Sequence, residues 1–261
     1  MEKFRIRERF NLSGKVAIIT GASKGIGMSM ARGLAEFGAQ VVLSSRKAEA
    51  VELAAEALRN DNLLAVGYAC HVGESAARDH LIKTVGDEFG RIDILINNAA
   101  VSPYYGPIED MDMAAYQKTQ EINVNAALSL SNLVFPLMKE NGGSIIHVSS
   151  IEADIPGNGM SAYSISKSSL NMLTKSQAKE WGKYGIRVNA IAPGLVKTKF
   201  AKALLANDQI MHFIESFVPA GRAADPDEMA GLAVFLASEA SSYCTGSIFT
   251  ADGGFSISGA L

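Results

Sequence analysis

Short apolar runs alternate with longer runs of helical period along this whole chain, and that alternation leaves few folds open. The short runs fall at residues 16–20, 40–43, 64–69, 94–97, 144–148, 187–191 and 247–250. They are rich in Val and Ile and mostly continuous in apolarity, as strands buried on both faces are. Between them, residues 26–37, 48–59, 76–89, 113–138, 162–184 and 226–237 carry the spacing of amphipathic helices. Gly38, Gly90 and Gly185 stand where helix C-caps belong, and Asp225-Pro226 followed by Glu228 reads as a helix start. Such alternation predicts the α/β class, a parallel sheet covered by helices on both sides. No linker or composition break divides the 261 residues and no repeat is visible, so a single domain over 1–261 is expected.

The first strand runs into Gly21, Ser23, Lys24, Gly25, Ile26 and Gly27. Three glycines between a strand and a helix let the backbone turn tightly and approach a pyrophosphate resting on the helix N-terminus. The second strand ends in Ser44, Ser45, Arg46 and Lys47, with no Asp or Glu. A free ribose 2′-hydroxyl calls for a carboxylate here, whereas hydroxyls and cations suit a 2′-phosphate. NADP(H) is therefore expected in preference to NAD(H).

A third stretch, residues 142–167, reads as a buried strand, a loop broken by Pro156, Gly157 and Gly159, and a helix start. The strand delivers Ser149 and Ser150 at its carboxyl end, and the helix presents Tyr163 and Lys167 one turn apart on one face. A phenol normally titrates near 10, and a nearby ammonium favours the phenolate and lowers that value. The phenol then becomes a usable general acid or base, while a serine hydroxyl holds a carbonyl oxygen as charge develops on it.

The remaining features mostly exclude. A net charge of −3 without a basic run argues against nucleic acid as a partner. No apolar run approaches the roughly 20 residues of a membrane span. The N-terminal residues 1–15 contain no apolar core of a secretory signal, and Glu2 and Glu8 speak against a transit peptide. Cys70 and Cys244 are isolated, and the four histidines lack metal-ligand spacing, so no catalytic metal is expected. His147, inside an apolar strand, reads as a core residue.

With the glycine turn, Asn97-Asn98-Ala99-Ala100, Ser150, Tyr163 and Lys167 in this order, the sequence resembles the short-chain dehydrogenases/reductases. The likeness runs from Leu12 to Gly254 and includes Asn189–Gly194 and Thr245–Gly254. The resemblance implies a doubly wound, Rossmann-type sheet of seven strands. It also implies a catalytic tetrad of Asn123, Ser150, Tyr163 and Lys167. In that assignment Tyr163 protonates the carbonyl oxygen, Ser150 holds it, Lys167 lowers the phenol pKa and binds the nicotinamide ribose, and Asn123 anchors a water relay to Lys167. Asn98, Ala99 and Ala100 would flank the cofactor, and Pro193, Gly194, Val196 and Thr198 would lie by its carboxamide. One departure stands out. His71-Val72 follows the third strand where many members have Asp-Val, so Val72 flanks the adenine and the acceptor carboxylate is lost.

A narrower likeness, in residues 44–47, 70–73, 98–101 and 192–198, is to NADPH-dependent carbonyl (retinal) reductases of the peroxisomal short-chain type. Those enzymes end in a Ser-Lys-Leu-like tripeptide; this chain ends Gly259-Ala260-Leu261, so a cytoplasmic protein is expected. The substrate pocket would draw on Glu152, Ala153, Ile155 and Met160, on Pro103, Tyr104 and Tyr105, and on Phe200, Leu204, Met211, Phe213 and Phe217. Such a lining suits ketones, aldehydes, diketones or keto esters better than charged sugars; the alternative is that residues 200–217 form an amphipathic lid helix whose apolar face is only core. The resemblance also implies a homotetramer. Two enzyme alternatives remain, a 3-oxoacyl-thioester reductase and an NAD-linked alcohol or hydroxysteroid dehydrogenase, beside a cofactor sensor without chemistry.

Overall fold

In the computed structural model, which describes residues 5–258, seven strands form one parallel sheet. They are β1 (Val16–Thr20), β2 (Gln40–Ser45), β3 (Ala65–Ala69), β4 (Ile94–Asn97), β5 (Gly143–Val148), β6 (Ile186–Pro193) and β7 (Ile248–Ala251). Their order is β3-β2-β1-β4-β5-β6-β7, so the sheet is wound outward in both directions from the β1/β4 boundary. In open α/β sheets, ligands bind in the crevice at such a reversal, beyond the carboxyl ends of the strands.

Side-chain alternation along each strand builds two cores. Ala17 and Ile19 of β1 face one side with Val41 and Leu43 of β2, packed on Met30 and Leu34 of α1 (Gly25–Glu36), Leu58 of α2 (Ala48–Asn60) and Val234 of α9 (Ala230–Ala237). Val16 and Ile18 face the other side. There they meet Leu81 and Val85 of α3 (Ser75–Phe89), Val134 of α5 (Ala126–Met138) and Ala178 of α6 (Ser161–Trp181). The expected helix C-caps hold: Gly38, Gly90 and Gly185 take φ of 98°, 71° and 70°. Glu228 accepts the Asp225 N–H at 2.8 Å, which closes the expected helix start.

Three helices differ from the sequence pattern. Residues 113–138 are not one continuous α-helix. α4 (Met113–Gln120) widens into a π-helical turn, Glu121–Asn125, before α5 begins. The segment 226–237 opens with a 3₁₀ turn, Pro226–Met229, with the proline at the first helical position, where its missing N–H leaves no bond unmade. The single lid helix expected over 200–217 is two pieces, α7 (Lys202–Leu205) and α8 (Asp208–Phe217). The Asn207 side chain accepts the N–H groups of Gln209 and Ile210 and starts a new helix there.

No helix among the described residues is long and apolar enough to cross a membrane. Glu2 and the terminal Gly259-Ala260-Leu261, on which the targeting expectations rested, lie outside the described residues.

Candidate active site

The carboxyl ends of β1 and β4 are clamped together by hydrogen bonds that meet on the glycine turn. Asn98 Nδ2 donates to the carbonyls of Thr20 (2.8 Å) and Gly21 (3.2 Å), and the N–H groups of Asn98 and Ala99 donate to Thr20 Oγ1. A Cβ on Gly27 would stand 2.6 Å from Asn98 Nδ2 and 2.7 Å from the Gly21 carbonyl, so only glycine lets the turn pass this close. Gly21 and Gly25 take φ of 65° and 59°, which glycine alone adopts without strain. No side chain caps the N-terminus of α1 and no acid lies in its first turn. Its orphan amides are therefore free for an anion.

A cleft of about 1320 Å³ opens at this switch point. Gly21, Ser23, Lys24, Gly25, Ile26 and Gly27 line its floor; Ser45, Arg46, Lys47, His71 and Val72 line one end; and Asn98, Ala99 and Ala100 line its middle. Pro193, Gly194, Val196 and Thr198 close another side. The uncapped helix N-terminus, the glycine floor and a volume of this size fit a dinucleotide. At the end formed by Ser45, Arg46 and Lys47 the lining contains no carboxylate.

One residue of the expected cofactor set falls elsewhere. Ser44 is fully buried and outside the cleft lining; its backbone carbonyl accepts the Ala22 N–H at 3.0 Å and so braces the glycine turn. The strand's alternation turns Ser45 to the cleft and Ser44 into the sheet. His71 does line the cleft. Its Nδ1 accepts the Gly73 N–H at 3.1 Å, which leaves Nε2 to carry the proton as a donor, opposite in hydrogen-bonding sense to a carboxylate.

At the opposite end of the cleft, Ser150, Tyr163 and Lys167 converge. β5 carries Ser150 to its carboxyl edge and α6 supplies the other two, one turn apart. Ser149, one residue earlier, also lines the cleft, but its hydroxyl is committed to Asn171 Oδ1, to which it donates at 2.6 Å. Lys167 Nζ lies 5.4 Å from the Tyr163 ring centroid and donates to the Val148 carbonyl at 2.6 Å. The expected lowering of the phenol pKa by Lys167 is absent. Burial pushes Tyr163 well above its ordinary value; a hydrogen bond with Ser150 pulls it down and the Glu152 charge pushes it further up. Burial also drives Lys167 down to about 7. Desolvation disfavours both charged forms and outweighs their proximity, so the phenol keeps its proton at neutral pH.

Asn123 lies behind this site, in the π-helical turn. Its Oδ1 accepts the Val101 N–H (2.8 Å), and its Nδ2 donates to the Val101 carbonyl and to Ser166 Oγ, both at 3.0 Å. Ser166 in turn donates to the Tyr163 carbonyl at 2.6 Å. The side chain is thus committed to bracing the β4 loop against α6, which resolves the unfavourable mid-helix asparagine. A cavity of about 10 Å³, lined by Asn123, Lys167, Asn97 and Thr20, separates Asn123 from Lys167. That is room for about one water. The Asn97 side-chain oxygen is buried without a partner among the described residues.

His147 is the core residue expected. It is fully buried between Asn97 Nδ2 (3.3 Å from Nδ1) and Gln177 Oε1 (3.0 Å from Nε2), and burial lowers its pKa to about 4, so it stays neutral.

The mouth above Tyr163 is largely apolar. Phe200 packs on the Tyr163 ring with centroids 5.6 Å apart, and Tyr105, Met160, Leu204 and Phe213 also line it. Ala153, Ile155, Pro103, Tyr104, Met211 and Phe217 do not line the cleft. Tyr104 instead donates to the Pro107 carbonyl, and Phe217 stacks on the outer side of Phe213. Ile151, Asn158, Ile210 and Phe255 line the mouth without a sequence signal that marks them.

Residues 21–256 match the family model described as Enoyl-(Acyl carrier protein) reductase. The human Dehydrogenase/reductase SDR family member 4 is 41% identical over 244 residues, 93% of this chain and 88% of the relative. The chain belongs to the short-chain dehydrogenase/reductase family. Two solved members of this oxidoreductase family superimpose closely. A gluconate 5-dehydrogenase from Burkholderia cenocepacia J2315, in complex with NADP and tartrate, shares 31% identity at a TM-score of 0.93, covering 98% of this chain and 100% of that one. A 7α-hydroxysteroid dehydrogenase complexed with NADH and 7-oxo glycochenodeoxycholic acid shares 34% identity at a TM-score of 0.91, covering 97% and 98%. The expected family and its doubly wound fold are therefore found in this chain.

Proposed function

We propose that this protein is an NADPH-dependent carbonyl reductase acting on apolar ketones or aldehydes. The observation that carries the reading is a single cleft with a protonated phenol at one end and, at the other, Ser45, Arg46 and Lys47 without a carboxylate. NADPH, when bound, supplies the hydride. Tyr163 gives its proton to the carbonyl oxygen, and Ser150 holds that oxygen by a hydrogen bond as charge grows on it. Lys167 and a water between it and Asn123 return the proton to the phenol. Arg46 and Lys47 hold the 2′-phosphate, with Lys24 beside the glycine turn.

A gluconate-type polyol dehydrogenase is the second reading, favoured by the gluconate 5-dehydrogenase likeness. The aromatic mouth of Phe200, Tyr105 and Phe213 argues for the apolar substrate instead. A 3-oxoacyl-thioester reductase and an NAD-linked hydroxysteroid dehydrogenase stay as outcomes of the same test.

Turnover of aryl ketones, diketones, aldehydes, 5-ketogluconate and a 3-oxoacyl thioester with NADPH or NADH separates these readings. Activity with NADPH on apolar ketones is expected. Arg46→Ala should raise the KM for NADPH about 10–100-fold, the worth of a charge-assisted contact, and leave the KM for NADH nearly unchanged. A wild-type preference for NADH, or an Arg46→Ala effect equal for both cofactors, sinks the cofactor assignment.

Self-association to a homotetramer belongs to the same proposal. Ile165 and Met172 on α6 and Leu128 on α5 are exposed apolar side chains on the long helices. Sedimentation should give a tetramer at micromolar protein, with Met172→Glu shifting it to smaller species; a stable wild-type monomer refutes it. A cytoplasmic location is proposed too, and cell fractionation tests it.

A further inference from the structure

Glu152 is the one acid, among the described residues, in a largely apolar cleft mouth. It sits on the 3₁₀ turn Ile151–Ala153, directly after Ser150, and its N–H donates to Ser150 Oγ at 3.2 Å. Its Oε2 accepts the Gly157 N–H at 2.7 Å and the Ser164 hydroxyl at 2.8 Å. A Cβ on Gly157 would stand 2.7 Å from Oε1, so the loop backbone lies close against the carboxylate. Both Glu152 and Gly157 line the cleft. These bonds fix the charge in place and leave Oε1 without a partner among the described residues. Lys118 and Lys199 also line the cleft, but no cation pairs with Glu152 among the described residues. The charge also reaches the reacting end of the cleft, since it disfavours the Tyr163 phenolate.

We infer that Glu152 is a specificity-determining residue that makes the site reject substrates bearing a carboxylate beside the carbonyl and admit their uncharged counterparts. This rests on the carbonyl-reductase reading for its substrate class. The electrostatics need only a ligand in the mouth. An unpaired carboxylate held at a partly dry site repels a second anion with little screening, whereas a neutral ester or amide of the same shape carries no net charge for it to repel. A loop staple without this role would need the two accepted hydrogen bonds and not the charge.

The test uses the full-length enzyme loaded with NADP⁺ and two ligands matched in shape, benzamide and benzoate, measured by calorimetry. Wild type should bind benzamide at least about tenfold more tightly than benzoate at low salt. Glu152→Gln removes the charge and keeps an acceptor for Gly157, and should bring the two ligands within about threefold. Glu152→Asp keeps the charge and should keep the preference. The ratio of two ligands cancels any general loosening of the loop in a variant. Benzoate binding as tightly as benzamide to wild type would mean that Lys118 and Lys199 set the local field, and would overturn the inference. An unchanged ratio in Glu152→Gln would overturn it as well. Turnover of methyl benzoylformate against benzoylformate forms a separate arm. If neither ester nor acid is reduced while the binding ratio responds to Glu152, the carbonyl-reductase reading fails and the charge filter stands.

Discussion

Tyr163→Phe is expected to lower kcat for ketone reduction by about 10²–10⁴-fold while leaving NADPH affinity within about twofold, the pattern of a lost general acid. The phenol holds its proton at neutral pH: it titrates near 10 when free, and burial raises that value further. The neighbouring hydroxyl of Ser150 is an aliphatic alcohol, a weaker acid than a phenol, and cannot stand in for it. The pH profile carries a second expectation. Lys167 titrates near 7 because burial disfavours its ammonium, so it is charged below that pH and neutral above it. As the donor that returns a proton to the phenol, it should make reduction slow as pH rises through about 7 and alcohol oxidation quicken over the same range. Stopped-flow reduction across pH 5.5–9, with wild type and Lys167→Met, reads both. A Tyr163→Phe enzyme that keeps most of its kcat would remove Tyr163 from the chemistry.

Gly27→Ala is expected to cost about 10–100-fold in NADPH affinity, through a clash that no neighbour can relieve cheaply. The added methyl would lie 2.6 Å from Asn98 Nδ2, 2.7 Å from the Gly21 carbonyl and 3.0 Å from the Ala22 Cα. Two of those atoms are backbone, and the third belongs to the amide that ties β4 to the glycine turn. Relief means breaking the Asn98 clamp or shifting the start of α1, and either spoils the floor of the cleft. Gly231→Ala is the matched control. Nothing lies within 4 Å of its added methyl, and alanine in a helix stabilises relative to glycine by about 0.5–1 kcal/mol. Fluorescence titration with NADPH and a thermal melt distinguish the two. Undiminished affinity in Gly27→Ala would mean that the turn does not seat the cofactor.

Much of this molecule is local in origin and therefore legible along the chain. β1 and β4 run over the residues the apolar pattern marks, and the other strands differ at their ends by a few residues, β6 reaching on to Pro193. Tyr163 and Lys167 share a face because one helical turn spans four residues, and the three glycines mark the first βα turn because a backbone must pass close there. Strand alternation, helix period and glycine conformations depend on neighbours in sequence, and so the sequence alone determined the fold class, the position of the cleft and the residues at its two ends. What needed the tertiary structure was the environment of each group. Proximity in sequence suggested an ammonium that lowers the phenol pKa; packing buried both groups and turned Lys167 to the Val148 carbonyl. The register of β2 decided that Ser45 and not Ser44 faces the cleft. Partners far away in the chain, Val101 and Ser166, turned an unfavourable mid-helix asparagine into a brace. Glu152 has no spacing rule that binds it to Gly157 and Ser164; the loop had to close before its charge acquired a place. Desolvation and hydrogen-bond partners are sums over elements brought together by folding, and no local pattern encodes such a sum.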